Sequence, residues 1–245
     1  MKKLILCGCL STLLLFTSCF SCHFSSNKLE ASKTIVEKEM KLEPFDKVDI
    51  DLVGHVKIVQ SQPGDYRVVL SAPENYVDYF KFEVDDHELE ATEEGENLNL
   101  EDAKIRITIY TPTLCELEND GICSVMMDSL KTKLLKVENS GVGAIKMRRL
   151  DIEKTLVDCS GVGGITLSGV TTWLNLDCSG VGSIDASEMK ARRVKGEVSG
   201  VGGIDCYATD TLKAVVSGVG SLKYGGNPAV KKLDASGIGK ISERR

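Results

Sequence analysis

The chain is poor in rings. Phe, Trp and Tyr make up 5% of its 245 residues, and Trp173 is the sole tryptophan. A bulky globular core or a ring-lined sugar groove uses more aromatics than this, so the composition favours thin, regularly spaced layers of Val, Ile, Leu, Ala and Cys. Histidine is as scarce: His23, His55 and His87 are scattered, and none pairs with a serine or cysteine nucleophile. There is no C-x-x-C, and four of the nine cysteines (Cys7, Cys9, Cys19, Cys22) fall at the extreme N-terminus. The remaining five, Cys115, Cys123, Cys159, Cys178 and Cys206, form an odd set, which argues against a disulfide framework or a structural zinc site. Basic residues are outnumbered 30 to 36 by acidic ones, which speaks against nucleic acid as a partner.

Lys2 and Lys3 precede an apolar run from Leu4 to Phe16, followed by Thr17, Ser18 and Cys19. This is the pattern of a secretory signal peptide. The run is short for a bilayer span, and small residues just ahead of a cysteine read as a lipobox whose cysteine receives a diacylglyceryl group. The expectation is therefore a signal peptide over 1–18, lipidation at Cys19 with Cys22 as the fallback, and a flexible tether over 19–40. The lipid would hold the protein on the outer membrane of a cell envelope, facing either the surface or the periplasm. Losing Lys2 and Lys3 takes the formal net charge from −6 to −8. Ten carboxylates lie between Glu83 and Asp102 with no Lys or Arg, as in a solvated hairpin and loop.

What the sequence has in abundance is one phrase. Ser140-Gly141-Val142-Gly143 returns with the serine at 160, 179, 199 and 217, and as Ser236-Gly237-Ile238-Gly239, at spacings of 20, 19, 20, 18 and 19 residues. A degenerate copy, Asp120-Gly121-Ile122, lies twenty residues earlier. Self-similarity at this period means a repeat architecture. Aligned on the serine, Val137, Val157, Leu176, Gly196, Ala214 and Leu233 form one column, and Asn139, Cys159, Cys178, Val198, Val216 and Ala235 a second. Alternation along a strand turns both inward, and turns the intervening Glu138, Asp158, Asp177, Glu197, Val215 and Asp234 to water. After the corner, Ile145, Ile165, Ile184, Ile204, Leu222 and Ile241 should again face inward.

The paired glycines (Gly141 and Gly143, Gly161 and Gly163, Gly180 and Gly182, Gly200 and Gly202, Gly218 and Gly220, Gly237 and Gly239) suit sharp corners needing dihedrals closed to branched residues, with the intervening valine plugging the core. A leucine-rich repeat would need L-x-x-L-x-L, a propeller blade about twice the length, and calcium-binding coils an Asp after each glycine pair. Stacked coils of short strands remain: an all-β parallel solenoid with coils of about 19 residues. The domain is expected over 41–245, with an opening coil carrying inserted strands over 41–112 and regular coils over 113–245. No long amphipathic helix is expected.

The opening Phe45-Asp46-Lys47-Val48-Asp49-Ile50-Asp51-Leu52-Val53-Gly54, the strand Ile105 to Leu114, and the Ser-Gly-Val-Gly copies resemble the head GIN family, known as autotransporter adhesin heads. The resemblance covers Phe45 to the C-terminus. It implies a single-stranded right-handed parallel β-helix on an exported protein or lipoprotein, and it brings no catalytic residue set and no cofactor.

Little else points to chemistry. A serine repeated six times serves each coil alike, and Gly-Val-Gly without a following Lys-Ser/Thr is no phosphate loop. Cys159 and Cys178 occupy one inward column and are expected as buried thiols. The carboxylate column Glu138, Asp158, Asp177 and Glu197 is the one place where a cation could sit, but Lys136, Lys195 and Lys213 share its face, and no metal is expected. The expected function is a non-catalytic envelope module binding an envelope protein or glycan, as a monomer or small homo-oligomer. The alternatives are a polysaccharide-processing enzyme on a β-helix, and lipid or small-ligand binding near Tyr76, Tyr79, Phe80 and Phe82.

Overall fold

A computed structural model of the chain describes residues 28–95, 98–100 and 103–244. The segment 1–18 expected as a signal peptide, together with Cys19 and Cys22, lies outside this range. Each regular coil is one long bent strand: Val142–Cys159, Val162–Cys178, Val181–Val198 and Val201–Val216. Successive coils pair in parallel and in register, so that Ile145, Ile165, Ile184, Ile204 and Leu222 stack one above another. The result is an all-β parallel solenoid of about six turns. Register shifts between Met147 and Leu150, Thr166 and Ser168, and Ala186 and Lys190 mark a second bend in each coil. Among the described residues no helix is long and apolar enough to cross a membrane.

The inward columns hold through the regular coils. Val137, Val157, Leu176 and Ala214 are buried, as are Cys159, Cys178, Val198 and Val216, and the isoleucine column from Ile145 to Ile204. Each such aliphatic side chain contributes roughly 1.5–3 kcal/mol by leaving water. At the N-terminal end of the second column, where the pattern puts asparagine in the core, Asn119 donates from Nδ2 to Oδ1 of Asn139 at 2.7 Å. The last coil departs from the pattern: Val230–Ala235 forms an open edge, and Leu233 and Ala235 are exposed there.

The corner valines do not plug the core. Val142, Val162, Val181, Val201 and Val219 are 46–57% exposed, and Ile122 and Ile238 continue the same outer ladder. The period-2 alternation runs through the corner without a break, so residue 142 has the parity of Glu138, Ser140 and Lys146 and points outward. The glycines take the alternate positions. A Cβ on Gly202 would overlap the carbonyl oxygen of Gly182 in the coil below, and one on Gly180 the carbonyl oxygen of Ser160. Close approach between coils is thus the main constraint, and the left-handed region is used only at Gly143, Gly163 and Gly237 among the twelve.

The opening coil, Lys47–Asp51 and Val53–Gln60, has neighbours on both sides. Glu88–Glu93 and Arg106–Thr111 lie against its outer edge in parallel, and Glu116–Asn119 and Ile122–Met127 against its inner edge. Beyond them, Arg67–Pro73 pairs antiparallel with Arg106–Thr111, and Phe80–Asp85 with Glu88–Glu93. The segment Ile35–Lys41, expected as tether up to residue 40, is instead a strand paired antiparallel with Arg67–Pro73. These antiparallel additions close the N-terminal end, where Tyr76, Phe80 and Phe45 are buried as its plug.

A charged face with a tryptophan groove

The strand segment before each corner presents three outward columns. The outermost, six residues ahead of each serine, stacks Leu134, Lys154, Trp173, Arg193, Thr211 and Val230. Next to it run Lys136, Leu156, Asn175, Lys195, Lys213 and Lys232. Nearest the corner is a carboxylate ladder longer than the four residues the repeats reveal, because register adds Glu90, Asp49 and Glu118 ahead of Glu138, Asp158, Asp177 and Glu197.

Adjacent rungs stand about 4.8 Å apart, so the ladder sets like charge against like. Burial, then Asp158 and Glu197, raises the Asp177 carboxyl above its usual range. Burial and the neighbouring Asp120, Glu88, Asp51 and Glu90 push Asp49 up to about 6. Within the stretch where Glu116, Glu118 and Glu138 come within reach of a single ion, the Lys136 ammonium stands 2.7 Å from Glu116 and 2.9 Å from Glu138. The side chain supplies the cation there. Lys195 lies 3.5 Å from Glu197 and also offsets part of the rise at Asp177, while Leu156 and Asn175 take the lysine's place in the coils of Asp158 and Asp177.

A pH effect follows. With a folded value near 6 against an ordinary 3.8, Asp49 holds its proton in the folded chain at pH values where the unfolded chain has released it. Stability should therefore rise as pH falls from about 7 towards 5, and level off below the ordinary carboxylate range. Asp49→Asn should flatten that rise, as read by thermal melts across the interval. Parallel pH profiles for the two proteins would refute it.

A groove of about 450 Å³ opens over the two outer columns. Leu174 and Val194 close its floor, each almost fully buried. Trp173 is 48% exposed on its wall, with the Arg193 guanidinium 4.4 Å from the ring centroid. Lys154, Asn175, Lys195 and Lys213 complete the rim. Among the described residues, no carboxylate stands within ion-pair distance of Lys154, Arg193 or Lys213. One guanidinium over an aromatic face and two exposed ammonium groups, all without a carboxylate partner among the described residues, form an anion-binding arrangement on an acidic protein.

The family described as "Putative auto-transporter adhesin, head GIN domain" matches residues 44–228. The chain belongs to the head GIN domain family. A crystal structure of a putative adhesin from Bacteroides fragilis NCTC 9343 is 32% identical, with a TM-score of 0.85 over 88% of this chain and 100% of that one. A putative lipid binding protein from Parabacteroides distasonis ATCC 8503 shares the fold at 19% identity and a TM-score of 0.70, over 89% of this chain and 100% of that one. So does a putative adhesin from Parabacteroides merdae ATCC 43184, at 18% and 0.66, over 89% and 99%. None of the curated proteins matches.

The remaining candidates of this head GIN domain take structural places. Cys159 and Cys178 are buried, free and in register on adjacent coils, and contact with Cys178 together with burial raises the Cys159 thiol. Tyr76 and Phe80 are plug residues, with the Tyr76 hydroxyl donating to the carbonyl of Leu29, and Tyr79 remains at the surface. The groove is what sequence reasoning missed. Its signal was present, since Lys154, Trp173 and Arg193 all stand six residues ahead of a corner serine, an even and therefore outward offset.

Proposed function

We propose that the mature protein is a non-catalytic, lipid-anchored module of the cell envelope that binds its partner along the groove-bearing face of the solenoid, as an adhesin would. The exposed Trp173 groove with its unpaired cations carries this reading, since a soluble fold gains nothing by displaying its sole indole beside uncompensated charge. The near-minimal coils add support, because they offer no long loops from which a polysaccharide-cleaving site could be assembled over the face. Family membership is consistent with it.

A glycan array probed with the mature protein, followed by product analysis of every ligand retained, tests the reading. Retention without cleavage is expected, and turnover of a retained glycan would overturn it. The anchor is tested separately. Cys19→Ala should move the protein from the detergent phase to the aqueous phase, because a diacyl chain would supply most of its membrane affinity. Equal membrane recovery of variant and parent would remove lipidation at Cys19 from the proposal.

A further inference from the structure

We infer that the Trp173 groove is a binding site for an acidic polysaccharide, a chain of pyranose rings bearing carboxylates or sulfates. The inference rests on the binding-module reading and names the ligand class of the same face.

Three observations converge on that chemistry. The half-exposed indole offers an apolar plate for the C–H face of a sugar ring, and the Arg193 guanidinium packed on it at 4.4 Å fixes its orientation. The rim is rich in donors, with the Lys154 and Lys213 ammonium groups, the Arg193 guanidinium and the Asn175 amide, and the three cations lack carboxylate partners among the described residues. The carboxylate ladder then gives the site a direction. Asp158 and Asp177 stand one column beyond Leu156 and Asn175, so an anionic substituent is repelled at that edge and drawn to the outermost column, where Lys154 and Arg193 flank Trp173, and along the coils to Lys213.

Length and depth select a polysaccharide over a lipid. From Lys154 to Lys213 the site crosses four successive coils, about 14 Å at one strand spacing per coil, which accommodates more than one ring. Leu174 and Val194 seal the floor at 2–3% exposure, so no enclosed apolar channel leads inward for an acyl chain. On a protein with a mature formal charge of −8, an anionic polymer finds net attraction here and repulsion along the ladder.

Because Trp173 is the sole tryptophan, emission excited selectively at the indole, apart from the six tyrosines, reports on this groove. The probes are a tetrameric oligogalacturonate, its carboxyl-reduced neutral counterpart, inorganic sulfate, and phosphatidylglycerol vesicles. We expect a saturable emission shift with the oligogalacturonate, at least 10-fold weaker binding of the neutral tetramer, and weakening with added salt. Lys154→Gln combined with Lys213→Gln should weaken oligogalacturonate binding at least 10-fold. Trp173→Ala should abolish it by calorimetry with an unchanged thermal melt, which separates loss of the site from loss of the fold.

Equal affinity for the acidic and neutral tetramers overturns the inference, as does failure of the oligogalacturonate to bind. Sulfate binding of equal strength would mean an adventitious ion only, and a shift with vesicles alone would assign the groove to a lipid headgroup. If array binding survives Trp173→Ala, the proposed module stands and this site falls.

Discussion

Gly202→Ala should cost about 3 kcal/mol or more and lower the melting temperature by roughly 6–12 °C, as expected when a backbone is forced out of a tightly stacked position in a domain of this size. The added Cβ would overlap the Gly182 carbonyl oxygen, a backbone atom that cannot rotate away. Relief requires the two coils to separate at a corner where Val201 donates to the Gly180 carbonyl at 3.0 Å and Val219 to that of Gly200 at 3.1 Å. Ser199→Ala at the same corner removes an exposed hydroxyl and should cost no more than about 1 kcal/mol. Thermal melts of the two variants against the parent decide it, and similar losses in both would show that the stacking distance is not the constraint.

Ile184→Ala should be destabilising by about 2–5 kcal/mol, whereas Val181→Thr, three residues away on the same strand, should change stability by less than about 0.5 kcal/mol. Ile184 is 1% exposed between Ile165 and Ile204, so truncation leaves a cavity in a ladder of identical side chains. Val181 is 57% exposed, and threonine keeps its branched shape and β-propensity while replacing one methyl with a hydroxyl that water can reach. Denaturant titrations of both proteins measure the contrast directly. A large loss for Val181→Thr would restore the corner valine to the core and return the parity argument to its starting point.

That contrast shows where the sequence was legible. Strand periodicity identified the inward columns because a buried position recurs at a fixed offset from each serine, and Val157, Leu176 and Val198 sit where that count puts them. The same count, carried past the glycines, would have turned Val142 outward. The corner bends the chain without inserting a residue into the alternation, so a sharp turn at the glycines does not bring the valine between them into the core. The N-terminal end was harder for a physical reason. Lys47 pairs with Glu88 and Glu116, and His55 with Arg106 and Ser124, and no local pattern encodes such distant partners. The strand Ile35–Lys41 was missed likewise, because alternate Glu and Lys on an exposed edge read as tether. As for the groove, each component has a readable parity, but its concavity arises from the relative sizes of neighbours on four coils, which no single repeat displays.

The placement of Lys47–Gln60 between two later coils has a consequence for the order of assembly. As the chain is made, this segment appears first among the coils but stays without a ladder partner until Glu88 and then Glu116 have followed it. From Glu116 onward, by contrast, each coil can add to the one completed just before it, closing a loop of about one repeat. The earliest synthesised coil therefore waits for two long-range closures before it is flanked on both sides, whereas every coil after it joins by a closure of about one repeat, and the slow, non-local part of assembly is confined to the capped end.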